Sequence, residues 1–136
     1  MKIKRIHHVA IAVENMAPLE GLFDTFGMAP PHRESGASGK LDIAIFPVAD
    51  TSIELLKPNG PGTSVPDFIA ARGEGLFHIC LEVENIDEAM TELREKGIRF
   101  RTETAQPGHA GSRIAFMDTA TTGGVLFELL EAAKAA

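Results

Sequence analysis

Two segments of the chain alternate apolar and polar positions directly after a histidine. The first is "HVAIAVEN", which begins at His8, and the second is "HICLEVEN", which begins at His78. Alternation with a period of two is typical of a β-strand with one buried face. Each segment precedes apolar residues at helical spacing, which end at Gly27 in the first case and at Gly97 in the second. The pattern therefore predicts a strand followed by a helix, twice.

Extended segments follow each predicted helix in the same order. The clearest are "LDIAIFPV" (41–48), "TSIELLK" (51–57), "SRIAFMD" (112–118) and "GVLFELLE" (124–131), with a weaker one around 98–103. His8 matches His78, and Gly27 matches Gly97, at one offset of 70 residues. Such self-similarity indicates a duplicated unit. We predict an α+β fold in which two βαβββ modules pair into an open, cupped, eight-stranded barrel-like sheet with the helices outside.

The domain boundaries follow from this repeat. We expect a single domain over 1–136, with a first module at 5–58 and a second module at 75–132. The stretch 59–74 would be a linker, because "KPNGPGTSVP" is rich in proline and glycine. A short helix, "VPDFIAARG" (65–73), is predicted within the linker.

Composition narrows the class of protein and its partners. The net charge of −6 argues against a nucleic-acid partner. No segment approaches the roughly 20 apolar residues of a membrane span, so no membrane partner is expected. Cys80 is the single cysteine, which excludes an intramolecular disulfide. We expect a cytoplasmic protein and, as the default for so small a pair of modules, a homodimer.

Strand alternation also predicts which polar side chains share a face. His8 lies opposite the Val and Ile positions that would pack against the helix, and Glu54 lies opposite Ile53 and its apolar neighbours. His78 and Glu128 occupy the equivalent positions in the second module. Each module would therefore direct one histidine and one glutamate into the concave face.

These four side chains suggest a metal site. A buried carboxylate is costly unless it is paired or coordinates a metal. Imidazole and carboxylate ligands suit Co²⁺, Mn²⁺, Ni²⁺, Fe²⁺ or Zn²⁺, among which the pattern does not choose. An isolated histidine at a strand start is more often structural, and a glutamate in an amphipathic strand usually faces solvent. The recurrence of both at equivalent positions favours a divalent cation as cofactor.

Longer segments of the chain resemble a known family. They are "HHVAIAVENM", "TSIELLKP", "VPDFIAARGEGLFHICLEVENIDEAMTELREKGI", "PGHAGSRIAFMD" and "GGVLFELLE". Together they resemble the vicinal oxygen chelate superfamily of glyoxalases, bleomycin resistance proteins and dioxygenases, and within it the methylmalonyl-CoA epimerases. The resemblance implies paired βαβββ modules and metal ligands at His8, Glu54, His78 and Glu128. At the position of Glu54, some members of that family have Gln instead.

The resemblance also implies an activity. An isomerase of this family would interconvert the 2R and 2S forms of methylmalonyl-CoA, or of a closely related 2-substituted malonyl thioester, through a metal-stabilised enolate. Its partner would be a small acyl-CoA. Glu128 would be both a ligand and an acid/base, and Glu34 would be the second acid/base, with Asp42 as the fallback. The loop residues Gly108, His109 and Gly111 would contact substrate.

Other activities stay open at this point. A glyoxalase-I-like enzyme acting on a glutathione hemithioacetal uses a similar ligand set, although the block "GLFHICLEVENI" favours the epimerase. A ring-cleaving dioxygenase would need a coordination position that Glu54 occupies. A non-catalytic ligand-sequestering protein would rely on aromatic walls, yet the chain has no Trp and no Tyr. The basic residues Lys96, Arg99 and Arg101 could meet a CoA phosphate or simply form a solvated surface.

Overall fold

The structure is a computed structural model, and it describes residues 1–134. Within that range there are eight strands: β1 (Ile3–Ala12), β2 (His32–Gly36), β3 (Leu41–Val48), β4 (Thr51–Pro58), β5 (Gly75–Val83), β6 (Gln106–Pro107), β7 (Arg113–Phe116) and β8 (Phe127–Glu131). The helices are α1 (Ala17–Thr25), α2 (Ser64–Arg72) and α3 (Ile86–Glu95). The predicted fold class, α+β with two βαβββ sets of elements, is confirmed. In residues 1–134 no helix combines the length and the apolar character needed to cross a membrane.

The chain divides into two compact units. The first unit comprises His8–Phe77, and the second comprises Met1–His7 together with the chain from His78 onward. The division falls inside β1, so the first residues of this strand belong with the second unit. There the Glu84 N–H donates to the carbonyl oxygen of Lys2. The predicted linker helix, observed as α2, belongs to the first unit.

In the first unit the strand order is β2-β3-β4-β1. Strands β1 and β4 are parallel, and the other neighbours are antiparallel. The apolar face predicted for β1 packs on α1, since Ile11 and Val13 join Phe23 in one core cluster. The Phe23 ring meets the Phe46 ring edge-on at a centroid distance of 4.9 Å. This packing leaves the face that carries His8 turned away from the helix.

The second unit repeats the topology. Its strand order is β5-β8-β7-β6, with β5 and β8 parallel and the other pairs antiparallel. Its core joins α3 to the sheet through Ile86, Ala89, Met90, Val83 and Leu129, all of which are buried. The two units therefore have equivalent cores and equivalent strand pairings, as a duplication requires.

The two helix starts differ in detail. Asn85 is the N-cap of α3, and its side chain accepts a hydrogen bond from the Glu88 N–H at 3.1 Å. For α1 the N-cap is Met16, whereas Asn15 lies one residue earlier and accepts from the Ala17 N–H at 3.0 Å. The proline in the first turn of α1 suits a start at this position, because proline has no N–H to leave unsatisfied.

The strand expected around 98–103 is wrong in extent. Phe100 forms only an isolated bridge with Met117, and residues 101–104 form bends. The Arg94 guanidinium donates to the carbonyl oxygens of Thr102 and Glu103, at 3.1 and 2.5 Å. Arg94 thus provides hydrogen-bond partners for two carbonyls in the interruption, and the next strand is β6. Nothing in the local alternation of the sequence indicated this side-chain contact.

Candidate metal and catalytic site

In the first unit, His8 and Glu54 form a close pair. His8 Nδ1 lies 3.2 Å from Glu54 Oε2, and their side chains are 9% and 14% exposed. The parallel pairing of β1 with β4 sets Ala10 beside Glu54, so His8 lies two residues away on the same face. The small, buried Ala10 and Ala12 leave room beside the imidazole.

In the second unit, His78 and Glu128 form the equivalent pair. His78 Nε2 lies 3.2 Å from Glu128 Oε1, and each side chain is 6% exposed. Here β5 pairs in parallel with β8, which sets Cys80 beside Glu128. The Phe116 ring meets the imidazole of His78 edge-on, with the centroids 5.3 Å apart. Both predicted pairs of ligand residues are therefore brought together within their own units.

The donor atoms of each pair fit a divalent cation. Imidazole nitrogen and carboxylate oxygen bind borderline divalent metals at roughly 2.0–2.2 Å. Two such ligand atoms can sit about 3 Å apart on one ion, as the atoms of both pairs do. His78 and Glu128 belong to a group of buried side chains that could hold a metal ion. The buried carboxylate of Glu128 suits such an ion, because a carboxylate is stable in a buried position when it is paired or coordinates a metal.

Glu34 lies on the same face as the first pair. It is on β2, directly opposite Ile43 of β3, and Ile43 is in turn opposite Leu56 of β4. Directly opposed residues share a face, and Leu56 lies two residues beyond Glu54, so Glu34 shares the face of Glu54. Its side chain is 16% exposed. The turn at 37–40 between β2 and β3 gives Glu34 this position.

Asp42, the fallback acid/base, lies on the opposite face. It is adjacent to Ile43 in β3, and adjacent residues of a strand point to opposite faces. Its partner on β4 is Lys57. Its carboxylate accepts from the Asn59 amide at 2.9 Å, and it is 55% exposed. Strand alternation therefore separates Asp42 from the face that carries the first ligand pair.

The predicted substrate loop is a tight glycine turn. Gly108 precedes a 3-10 turn at His109–Gly111, in which Ala110 and Gly111 have positive φ values of 55° and 76°. A Cβ on Gly108 would come within 2.5 Å of Ser112 Oγ and 2.8 Å of Ile114 Cγ2. His109 is exposed. A larger residue at position 108 would displace these side chains, because the turn packs directly on β7.

The same turn occurs in the first unit, which the sequence interpretation missed. Residues 37–39 form a 3-10 turn after Gly36, with Ser38 at a φ of 56°. A Cβ on Gly36 would lie 2.6 Å from Ile43 Cδ1. The signal was present as "GASG" (36–39) against "GHAG" (108–111). The duplication therefore extends to the turns that follow β2 and β6.

A second buried carboxylate was also missed. Glu82 is 5% exposed and lies two positions beyond Cys80, on the face of β5 that carries His78. It accepts from Arg5 Nε at 3.0 Å and lies 3.4 Å from Lys4 Nζ. Burial acts to raise the pKa of Glu82, but the hydrogen bond and charge of Arg5, with a smaller effect of Lys4, hold it below its ordinary value. The alternation of "HICLEVEN" could have predicted its face, but not its partners.

Comparison with known proteins supplies an independent line of evidence. The model of the Glyoxalase/Bleomycin resistance protein/Dioxygenase superfamily matches residues 7–116. Methylmalonyl-CoA epimerase from Bos taurus mitochondria is 32% identical, over 94% of this chain and 74% of that protein. The crystal structure of methylmalonyl-CoA epimerase from Mycobacterium tuberculosis has a TM-score of 0.87 at 32% identity, covering 97% of this chain and 90% of that one. A Streptomyces coelicolor methylmalonyl-CoA epimerase variant in complex with 2-nitronate-propionyl-CoA has a TM-score of 0.85 at 29% identity, covering 97% and 96% of the two chains.

Proposed function

Because the chain belongs to the Glyoxalase/Bleomycin resistance protein/Dioxygenase superfamily, we propose that it is a metal-dependent epimerase of methylmalonyl-CoA or a closely related 2-substituted malonyl thioester. The predicted enzyme class, an isomerase of the epimerase type, is confirmed by its relatives. The single observation that supports this function most is the buried pair of His78 and Glu128, 3.2 Å apart, in a chain so similar to epimerases of this substrate.

The proposed ligands of the divalent cation are His8, Glu54, His78 and Glu128. Their recurrence as two equivalent pairs, each 3.2 Å apart, supports the assignment. When bound, the cation would act as a Lewis acid that stabilises the negative charge developing on the substrate oxygens.

Two carboxylates are proposed to move the proton. Inverting a carbon centre by 1,1-proton transfer needs one group to remove the α-proton and another to return a proton on the other face. Glu128 is proposed for one face, and Glu34 for the other. Support for Glu34 comes from its place on β2, on the face of Glu54, and from its low exposure. A positioned acid or base contributes about 10²–10⁴-fold to the rate.

The glycine turn is proposed to contact the acyl-CoA. Gly108, Gly111 and the exposed His109 lie next to β7, whose Phe116 is directly opposite Glu128. A homodimer and a cytoplasmic location both stay predictions.

Isotope exchange tests the function directly. A single epimer of methylmalonyl-CoA is incubated with the purified protein in deuterated water, and the α-deuterium and the epimer ratio are followed by mass spectrometry and chiral chromatography. We expect deuterium uptake together with racemisation, loss of both after a chelator, and recovery on addition of Co²⁺ or Mn²⁺. Failure of exchange with every divalent metal tried would contradict the proposal.

The same protein preparation separates the epimerase from the alternative activities. A glyoxalase-I-like enzyme would turn over the hemithioacetal of methylglyoxal and glutathione, for which we expect no activity. A ligand-sequestering protein would contain no stoichiometric transition metal after purification without chelator. Elemental analysis of that preparation therefore accompanies the exchange experiment.

A further inference from the structure

Three basic residues follow the end of α3, and they differ in their partners. Lys96 pairs with Glu92 at 3.3 Å, and Arg99 pairs with Asp118 at 3.3 Å. For Arg101, no carboxylate of residues 1–134 lies within ion-pair distance. Its guanidinium carbon instead lies over the Phe116 ring, 5.8 Å from the centroid. Arg101 thus has a defined position and a charge without a counter-ion.

Backbone register shows which face Arg101 occupies. Phe100 bridges Met117, and both side chains belong to the core cluster on the α3 side of the sheet. Arg101, which follows Phe100, and Phe116, which precedes Met117, therefore face the opposite side of the sheet. Consistent with this, the Arg101 N–H donates to the Phe116 carbonyl oxygen at 2.9 Å. Arg101 and Phe116 share the face that carries His78 and Glu128.

Phe116 lies between the Arg101 guanidinium and the pair of His78 and Glu128. It is directly opposite Glu128 in the β7–β8 pairing, and its ring contacts His78. The guanidinium lies over the same ring, so Phe116 separates it from the imidazole of His78. Arg101 is exposed. A substrate whose reacting end lies at His78 would therefore present a more distant, solvent-facing part to Arg101.

We propose that Arg101 binds a phosphate group of the CoA moiety, an inference that rests on the proposed function for its substrate. The guanidinium matches phosphate oxygens with two parallel hydrogen bonds, which strengthens recognition. Stacking on Phe116 holds the guanidinium in place before binding and so reduces the entropy lost. The malonyl carboxylate is assigned instead to the His–Glu pair, because it is bonded to the reacting carbon.

Steady-state kinetics with two substrates tests the inference. One substrate is methylmalonyl-CoA, and the other is methylmalonyl-pantetheine, which has the same reacting end but no phosphate. For Arg101→Gln we expect KM for the CoA thioester to rise about tenfold with kcat unchanged, and KM for the pantetheine thioester to change less than about twofold. Arg99→Gln removes the same charge from the paired neighbour, and should leave both KM values within about twofold. Arg101→Lys keeps the charge without the planar fork and should give an intermediate KM for the CoA thioester.

Direct binding of CoA keeps this test independent of epimerase activity. Titration calorimetry with CoA should show a Kd about tenfold weaker for Arg101→Gln than for the wild type and for Arg99→Gln. An equal rise in KM for both thioesters, a fall in kcat, or an unchanged Kd for CoA would overturn the inference. If no epimerase activity is found but the Kd for CoA changes as expected, the proposed reaction fails and the phosphate site stands.

Discussion

Glu128 lies 3.2 Å from His78, and the pairing of β5 with β8 that sets this distance recurs between β1 and β4. In the first unit Glu54 lies the same 3.2 Å from His8. The imidazoles nevertheless present different atoms, Nε2 for His78 and Nδ1 for His8. The duplicated backbone therefore repeats the position of the donors, while the orientation of each ring is particular to its unit.

The two glutamates should respond differently to amide substitution. Glu54→Gln keeps a ligand oxygen, so we expect the metal content to be retained and the exchange rate to fall less than about tenfold. Glu128→Gln removes a proposed base as well, so we expect a loss of about 10²–10⁴-fold in kcat. Elemental analysis and α-deuterium uptake measure the two effects. Equal losses in both variants would contradict a role for Glu128 in proton transfer.

Strand alternation allows a matched test of the second acid/base. Glu34→Gln should reduce epimerisation, which needs a group on each face, about 10²–10⁴-fold without loss of bound metal. Asp42→Asn alters the neighbouring strand on the other face, where the carboxylate meets Asn59, and should leave the rate within about twofold. Epimerisation rates of the two variants are compared by chiral chromatography. A larger loss of rate for Asp42→Asn than for Glu34→Gln would show that the assignment of the acid/base to Glu34 is wrong.

The packing of the glycine turn predicts a stability difference. Gly108→Ala would press a Cβ against Ser112 Oγ and Ile114 Cγ2, so we expect a loss of about 1–3 kcal/mol in the free energy of unfolding. Gly36→Ala should cost less, because its nearest neighbour is the flexible end of Ile43. Gly21→Ala in α1 meets no atom within 4 Å, and should stabilise by about 0.5–1 kcal/mol. Urea unfolding measures all three, and equal effects would show that the close contacts do not matter.

Glu82 should make stability depend on pH in the acid range. Its pKa is below the ordinary 4.5 in the folded protein, so the charged pair with Arg5 stabilises the fold above pH 4.5. That stabilisation is lost as the pH falls through the lower folded-state pKa. We expect Glu82→Gln to be about 1–2 kcal/mol less stable than the wild type at pH 7, and the difference to shrink below about pH 4.

Urea titrations at pH 7, 5 and 3.5 measure this difference. Glu95→Gln, a substitution at an exposed position on α3, serves as the control. Its free energy of unfolding should match that of the wild type at every pH. A difference between Glu82→Gln and the wild type that stays constant down to pH 3.5 would show that the ion pair is not the cause.

Local periodicity was enough to identify the repeated elements and to place each histidine on one face with its glutamate. Alternation gives each strand residue a face, and so places His78 and Glu128 on one side without any knowledge of the fold. The duplication supplied the correspondence with His8 and Glu54.

Other features depended on particular side-chain contacts. Arg94 donates to the carbonyl oxygens of Thr102 and Glu103 where the strand is interrupted before β6, and Glu82 is paired with Arg5, 77 residues away. Neither contact has a pattern that repeats along the sequence. Periodicity determines which face a side chain occupies, because it is a property of the backbone. Which charges meet on that face is decided only when the strands are paired in register.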